Sequence, residues 1–405
     1  MEKYAVPEFG TLTGIKVVCS ATSVAGPLVG SLMADHGADV IWLESSVGPS
    51  MERNNPEGCQ IAQDRRNMRS MALNIPTEQG KKILLELLRD TDILVESSKG
   101  GQWKKWGLTD EVLWQANPKL TIVHLSGFGQ TGDPAYIGRA SFDPIGQAFA
   151  GLMYMNYQPG SVPAPAYPVV GDYYLGFMGV FAALAGYISA QRTGRGESVD
   201  VSQYESILRC NPLSAMLDWN LPEGHPRRFQ PGNLNASTAG YNAYKCADGE
   251  YVYMLIISRG VMERVFPVLG LEYGSAELPK KAVYRIYDPE GKILEKAVVD
   301  YCLAHTAQEV ETALLAVGAP VMRMMKFSDI PGNSHVIARE SLTTCQNSRG
   351  EDIVCCSVMP KMKNNPGRVW RRAPGWGEDN KEILSELGFG EDDIAQLYEQ
   401  HILSE

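Results

Sequence analysis

The sequence is short of the residues that signal the commonest chemistries. Its 405 residues include only six histidines, all isolated, and eight cysteines with no CxxC pair, so neither a metal site nor a disulfide scaffold is expected. It has no GxxxxGK[ST], HExxH, EF-hand loop or GxSxG, and so lacks the signatures of nucleotide hydrolysis, zinc proteolysis and the serine-hydrolase elbow. Positive charge is also scarce: 47 acidic against 37 basic side chains give a net charge of −10 and a pI near 5.3. No global field would draw such a chain to nucleic acid or to an anionic membrane. The opening residues carry no recognisable export signal, and with scattered cysteines the expected location is the reduced cytoplasm. Internal repeats and low-complexity tracts are absent.

Long hydrophobic runs are limited to one. Residues 173–190 carry no charge and lie between Asp172 and Arg192. The run contains Gly176, Gly179 and Gly186, is only moderately apolar, and has no flanking basic bias or aromatic belt. A buried, closely packed helix is expected there rather than a membrane span.

The composition is that of a globular protein, with 44% hydrophobic, 21% charged and 9% aromatic residues and a length sufficient for two or three domains. From residue 14 the pattern reads as apolar run, Gly-Pro turn at Gly26-Pro27, amphipathic run to His36 and second apolar run to Glu44, which spells a βαβ unit. It recurs as a strand at 70–74, a helix at 77–89 with Thr77 as cap, and strands at 92–96 and 120–125. A short strand at 198–201 and a helix at 203–219 follow. Ligands of doubly wound parallel sheets bind beyond the carboxyl ends of the strands, so Glu44, Glu96 and Ser126 point to the site region. Proline, glycine and asparagine then crowd the region 221–240, a linker. Two alternating runs around Asp248-Gly249 predict a hairpin that opens a smaller domain. The expected division is 1–220 for the first part of the large domain, 221–240 for the linker, 241–330 for the small domain, and 331–405 for a return linker and a C-terminal part packing on the large domain.

Gly127-Phe-Gly129-Gln-Thr-Gly132 matches GxGxxG, but Asp133-Pro134 follows where the dinucleotide fingerprint needs a helix, so a plain glycine loop is expected. Two other features carry more. Asp172 stands behind Gly171 at the start of the uncharged run, where an aspartate is ordinarily a helix cap. The same placement suits a nucleophile, because a helix N-terminus stabilises the ionised carboxylate and the glycine leaves room for a bulky electrophile. The stretch Ser97-Ser98-Lys99 through Trp103, Lys104, Lys105 and Trp106 mixes lysines, glycines and tryptophans at a strand end. It reads either as a solvated loop or as a site for phosphates and a stacked purine.

Several motifs, in order along nearly the whole chain, carry a resemblance. They include Ala25-Gly26-Pro27, residues 34–41 with Glu44, Arg66-Asn67 through Asn74, residues 126–130, 146–151 and 193–197, residues 244–249, and Met359-Pro360 through Gly367. The chain resembles the family III CoA-transferases, and most of all their carnitine-handling members. The resemblance implies a Rossmann-like parallel-sheet large domain, a smaller α+β domain, and a homodimer of two interlocked ring-like protomers. It implies Asp172 as the catalytic carboxylate, forming an aspartyl-acyl anhydride and then an aspartyl-CoA thioester, with coenzyme A and acyl-CoA as substrates and no permanently bound cofactor. Lys99 and Lys105 fall on CoA-binding basic positions, Ser97 and Ser98 where pantetheine passes, and the backbone of Ala25 and Gly26 where oxyanions develop. Asp143 occupies the place of a second carboxylate near the reacting centre.

Departures bear on the substrate. Val24 replaces a glutamine before Ala-Gly-Pro, and Ile256 through Gly260 stand where a glycine-rich loop would be, both against formate or oxalate. The expected acid is carnitine, γ-butyrobetaine or crotonobetaine, for which Tyr154, Tyr157, Trp219 and Tyr241 are candidates for an aromatic cage. A 2-hydroxy acid of the isocaproate or phenyllactate type is the alternative. Bile-acid transfer and α-methylacyl-CoA racemisation rank lower, the latter because no histidine stands out as its base.

Overall fold

The computed structural model describes residues 6–156, 161–225 and 238–405. Six strands form one parallel sheet: β1 (Lys16–Ser20), β2 (Asp39–Glu44), β3 (Arg69–Ala72), β4 (Ile93–Glu96), β5 (Thr121–Ser126) and β6 (Ser198–Ser202), in the order β3-β2-β1-β4-β5-β6. All the pairings are parallel, with Val18 beside Ile41 on one side and Leu94 on the other. Because helices cover both faces, the central strands carry consecutive apolar residues, such as Val17-Val18, Ile93-Leu94-Val95 and Ile122-Val123, instead of alternating, and every residue of β5 is buried. Alternate side chains still divide between two cores. Val18, Ile41, Leu94 and Ile122 pack with Ile83 and Leu84 of the helix Glu78–Leu88 and with Leu384 and Leu397 of the C-terminal helices. Val17, Val40, Val123 and Leu125 pack with Val29 and Met33 of the helix Ala25–Asp35 and with Leu175 and Ala183 of the helix Val170–Thr193. Thr77 caps its helix as expected, its hydroxyl accepting from the Gly80 amide at 3.0 Å.

The uncharged run lies within the helix Val170–Thr193, buried on one face only. A methyl group added at Gly179 would lie 2.8 Å from Val29 and 3.1 Å from Leu125, and one at Gly186 would lie 2.4 Å from Thr121. The glycines let this helix sit on the sheet at a distance no side chain would allow. On the opposite face Phe177, Ile188 and Phe181, the last 70% exposed, look outward. The expected buried, closely packed helix is thus buried and closely packed on one glycine-lined face, with the other exposed. The helix expected at 203–219 is two, Gln203–Cys210 and Pro212–Asn220, since Pro212 lacks the N–H that a continuous helix requires.

The chain divides into two compact units, one comprising Met1–Leu152, Pro165–Trp219 and Ile337–Glu405, the other Met153–Ala164 and Asn220–Val336. The segment Met153–Ala164, expected in the large domain, groups with the second unit, and the return to the first falls at Ile337. Most of the expected linker, 226–237, lies outside the described residues. Within the second unit β7 (Tyr241–Lys245) and β8 (Tyr251–Leu255) form the expected hairpin, and β9 (Val321–Arg323) adds an antiparallel third strand. Helices Pro289–Ala304 and Ala307–Ala316 close a core of Val252, Met254, Phe266, Leu294, Val298 and Leu314. A second hairpin, β10 (Leu342–Gln346) with β11 (Asp352–Cys356), belongs to the first unit.

Candidate active site

The helix Val170–Thr193 connects β5 to β6, so it runs antiparallel to them and begins at their carboxyl ends. Its contacts fix the direction: Gly186 meets Thr121 at the start of β5, and Gly179 meets Leu125 near its end. Asp172, two turns nearer the helix start than Gly179, therefore stands beyond the carboxyl end of β5, where doubly wound sheets bind their ligands.

Asp172 is not the helix cap. Two N–H groups of this helix end are met by Asp143, whose Oδ1 accepts from the amides of Gly171 at 2.7 Å and of Asp172 at 3.1 Å, the latter shared with the Val169 carbonyl. Asp143 lies at the start of its own helix, Asp143–Phe149, and its Oδ2 accepts from Gln147 Nε2 at 2.6 Å. Gln147 is fixed in turn by the backbone of Ala166, donating to its carbonyl and accepting from its amide. A side chain at position 171 would strike both Asp143 and Ile207, which is why a glycine precedes Asp172.

Asp172 is 8% exposed, and its Oδ1 accepts from Gln203 Nε2 at 2.5 Å. Among the described residues Oδ2 accepts no hydrogen bond. Burial, and then the neighbouring Asp143 carboxylate, push the Asp172 pKa up to about 7, although the Gln203 hydrogen bond pulls the other way. This corrects the expectation that the helix N-terminus would favour the ionised form. Asp143 already occupies those amides, and the charge Asp172 feels most nearly is negative.

Ala25 and Gly26 head the helix Ala25–Asp35, where the first amides have no intrahelical acceptor. They lie beside both other parts of the site. A methyl at Gly26 would sit 3.3 Å from the Ser97 Cβ, and one at Gly176, a single turn along from Asp172, would sit 2.9 Å from the Ala25 carbonyl oxygen. The structure therefore brings Ala25, Gly26 and Ser97 together on the side to which Asp172 and Gly176 face.

The loop after β4 is held from beneath. Glu96 Oε2 accepts from the Ser98 amide at 2.7 Å, while Glu96 Oε1 lies 2.7 Å from His124 Nδ1, whose Nε2 lies 3.1 Å from Asp110 Oδ1. Gly101 donates to Gln130 Oε1 at 3.0 Å, and the Gln130 amide donates to Asp200 at 2.8 Å. Lys99, Lys104 and Lys105 are exposed at the rim of this loop. The tryptophans depart from the expectation: Trp103 is buried in the core beneath the sheet, donating to Ser98 Oγ at 3.2 Å, and Trp106 packs partly against the same core. Trp103 is thus a pillar of the loop and offers no face to a purine. Glu44 is likewise engaged internally, with both oxygens on Arg53 at 2.6 and 2.7 Å. The Gly127–Gly132 segment is a loop with no helix starting inside it.

Of the aromatic residues considered for a cage, Trp219 is exposed in the first unit, Tyr154 exposed in the second, and Tyr241 half-buried there against Tyr253. Tyr157 lies outside the described residues. No group of histidine, cysteine and carboxylate side chains suited to a metal occurs among the described residues. Gln203, Gln147 and His124 were missed in the sequence. Gln203 had a usable signal, since it directly follows β6 at the sheet's carboxyl edge.

Comparison with known proteins bears on this arrangement. Residues 12–380 match the model of CoA-transferase family III. The chain belongs to that family. It is similar to the L-carnitine CoA-transferase of Proteus mirabilis (strain HI4320), with 36% identity over 403 residues and 98% of each chain covered. The fold is shared with a CAIB/BAIF family protein from Brucella suis, at a TM-score of 0.78 and 24% identity over 94% of this chain and 100% of that one. It is shared also with Rv3272 from M. tuberculosis, at 0.79 and 21% identity over 92% and 98%. As a family III CoA-transferase the protein is an enzyme whose substrates are CoA thioesters.

In this CoA-transferase, burial opposes charging His124, but its hydrogen bonds to Asp110 and Glu96 more than offset that and push its pKa up to about 9. The folded value lies above the unfolded one, so the ion pairs stabilise the protein fully below about pH 6.5 and progressively less as pH rises through about 9. His124→Ala should lower stability at pH 6 by about 3 kcal/mol, the usual loss when one member of a buried pair is removed. In thermal melts from pH 6 to 10 the gap from wild type should narrow with rising pH; a constant gap would mean that His124 contributes packing alone.

Proposed function

We propose that the enzyme moves CoA from an acyl-CoA to a carnitine-like carboxylic acid through covalent intermediates on Asp172. The observation that carries this reading is the Asp172 carboxyl group itself: in a nearly buried residue, anchored through one oxygen, with the other accepting no hydrogen bond among the described residues, beyond the carboxyl end of β5. Its Oδ2 attacks the donor's thioester carbon and CoA leaves as thiolate, giving an aspartyl-acyl anhydride. The thiolate returns to the Asp172 carboxyl carbon, expelling the acyl carboxylate and forming an aspartyl-CoA thioester. The acceptor carboxylate then displaces CoA, and the thiolate attacks the new acyl carbon to release product and Asp172. The acyl group stays activated throughout, so the reaction draws on no ATP. In this reading the amides of Ala25 and Gly26, at the head of their helix, support the oxyanion on the substrate's acyl carbon. The likeness to the P. mirabilis L-carnitine CoA-transferase supports carnitine as the acid, and we keep γ-butyrobetaine and crotonobetaine, which share its quaternary ammonium, beside it. The substrate assay offers these acids and 2-hydroxyisocaproate with acetyl-, butyryl- and crotonobetainyl-CoA, without ATP, read by mass spectrometry.

Asp172→Ala should cut turnover by more than a hundredfold while the fold and CoA affinity persist, because Asp143, not Asp172, caps the helix. In the wild type kcat/KM for the donor should rise with pH through about 7, since only the ionised carboxylate attacks. Asp143→Asn removes the like charge and should move that midpoint down. A residual rate above about a hundredth, or a flat profile between pH 6 and 8, would take Asp172 out of the nucleophile's role.

Lys99 and Lys105 serve the CoA phosphates from the exposed rim of the loop that Glu96 and Gln130 hold. Lys99→Ala and Lys105→Ala should each weaken CoA binding about tenfold at low salt and less at high salt, as charge pairs near water do. An unchanged dissociation constant at low ionic strength would place the phosphates elsewhere.

The assembly we propose is a homodimer whose protomers are threaded through one another, as the family resemblance implies. Such chains separate only by opening, so tagged and untagged subunits should exchange as slowly as the protein unfolds. Exchange within minutes, or a monomer at nanomolar concentration, would rule the interlock out.

A further inference from the structure

Gln203 is buried at the first position of the helix that follows β6, and its amide nitrogen points at Asp172 Oδ1 from 2.5 Å. Its orientation is fixed at the other end, where Oε1 accepts from the Ser141 hydroxyl at 3.2 Å. Two glycines make room for the pair. A methyl at Gly146 would lie 2.1 Å from Gln203 Oε1, and one at Gly127 would lie 2.2 Å from the Ser141 Cβ. The chain Gly127, Ser141, Gln203 and Asp172 thus runs from the end of β5 to the nucleophile, with each contact tight enough to leave the amide little freedom.

On the reading above, two of the four chemical steps occur at the carboxyl carbon of Asp172 itself. When CoA thiolate attacks the anhydride at this carbon, the carbonyl electron pair moves onto Oδ1. The tetrahedral intermediate collapses by breaking the bond to Oδ2, which leaves with the acyl group as a carboxylate, and a carbon–sulfur bond remains. When the acceptor carboxylate attacks the thioester, negative charge again builds on Oδ1 before thiolate leaves; no proton changes hands in either step. Ala25 and Gly26 serve the other oxyanion, on the substrate's acyl carbon, leaving Oδ1 to Gln203, its one donor among the described residues. We propose that Gln203 is the oxyanion donor for the two steps at Asp172, and so a catalytic residue of this enzyme. Its hydrogen bond strengthens as Oδ1 gains charge, in a site from which water is largely excluded, which is where such donors are most effective.

The test separates attack at Asp172 from attack on the substrate. Wild type and Gln203→Met are loaded with crotonobetainyl-CoA, or with the acetyl or butyryl donor if one of those supports turnover. The CoA adduct on the Asp172 peptide is followed by rapid quench and mass spectrometry. The isolated thioester is then treated with hydroxylamine, which attacks the Asp172 carbon to give the hydroxamate and free CoA. Removing one such donor costs about 10²- to 10³-fold, so both loading and hydroxylamine release should slow by about a hundredfold or more. Gln203→Glu keeps the size and the acceptor for Ser141 but loses the donor, and should do the same. Thermal melting identifies a variant that fails to fold, and the other then decides. Slow loading with release at the wild-type rate would show that Gln203 only aims the nucleophile. That result overturns the assignment, as would wild-type rates in both measurements or a folded variant that never loads. A wild type that forms no adduct with any donor would instead overturn the covalent reading on which this one rests.

Discussion

The glycine-lined contact between the helix Val170–Thr193 and the sheet is the constraint from which the site follows. Gly179 and Gly186 leave no room for a Cβ against Leu125, Val29 and Thr121, so the helix can neither rotate nor lift without opening a void or creating a clash. Its first turn is thereby pinned beyond the end of β5, against the head of the helix Ala25–Asp35, which it meets at Gly176. A helix spaced by ordinary side chains would hold Asp172 farther from Ala25 and Ser97. The exposed Phe177 and Phe181 on the other face show that the glycine pattern was set by close approach on one side rather than by burial all round.

Given that position, two carboxylates divide the work. Asp143 takes the amides that a helix end offers to an anion, together with the Gln147 side chain, and is nearly fully satisfied. Asp172 is left with one anchored oxygen, a low-dielectric setting and a negative neighbour. In the nucleophile's role proposed for it, the same burial that makes its charge costly would make that charge reactive, because a carboxylate whose pKa lies near 7 is a better nucleophile than a well-solvated one. An enzyme that needed only a cap would have no use for the second aspartate, and one that left Asp172 on the amides would have lowered its pKa and its reactivity together.

Much of the large unit was legible in the residues. The alternation of apolar runs with amphipathic ones gave the parallel strands, Thr77 announced its helix, and Asp248-Gly249 announced its hairpin. The β10–β11 hairpin was not legible, since its turn at Asn347 through Gly350 lacks the short Asn-Gly or Asp-Gly signal and its buried contacts, Cys345 and Cys355 on Ala62, come from a remote helix. In the site, Asp172 was visible as an aspartate behind a glycine, but its local reading as a cap was wrong for a reason no local pattern contains. The capping carboxylate comes from Asp143, 29 residues earlier in the chain. Gln203 and His124 were hidden for the same reason, a polar residue on a strand or helix end acquiring its partner only through the fold. Trp103 misled because a tryptophan among lysines reads as a stacking surface until its burial is seen.

The two flanks of the site differ in dielectric. On the side proposed for CoA, the lysines stand in water on a loop braced from below by Glu96, His124 and Gln130, so any attraction to phosphates there would act at long range, steer binding and weaken with salt. On the Asp172 side, Asp143, Gln147 and Gln203 are buried, and their hydrogen bonds act where screening is weak. A substrate whose charged end is held outside while its thioester is drawn in meets each field where it is useful. Capture then tolerates a mobile, hydrated lysine, whereas the chemistry requires side chains that no longer move. On the proposed mechanism that difference accounts for exposed lysines on the CoA half of the site and hydrogen-bonded amides, wedged between glycines, on the other.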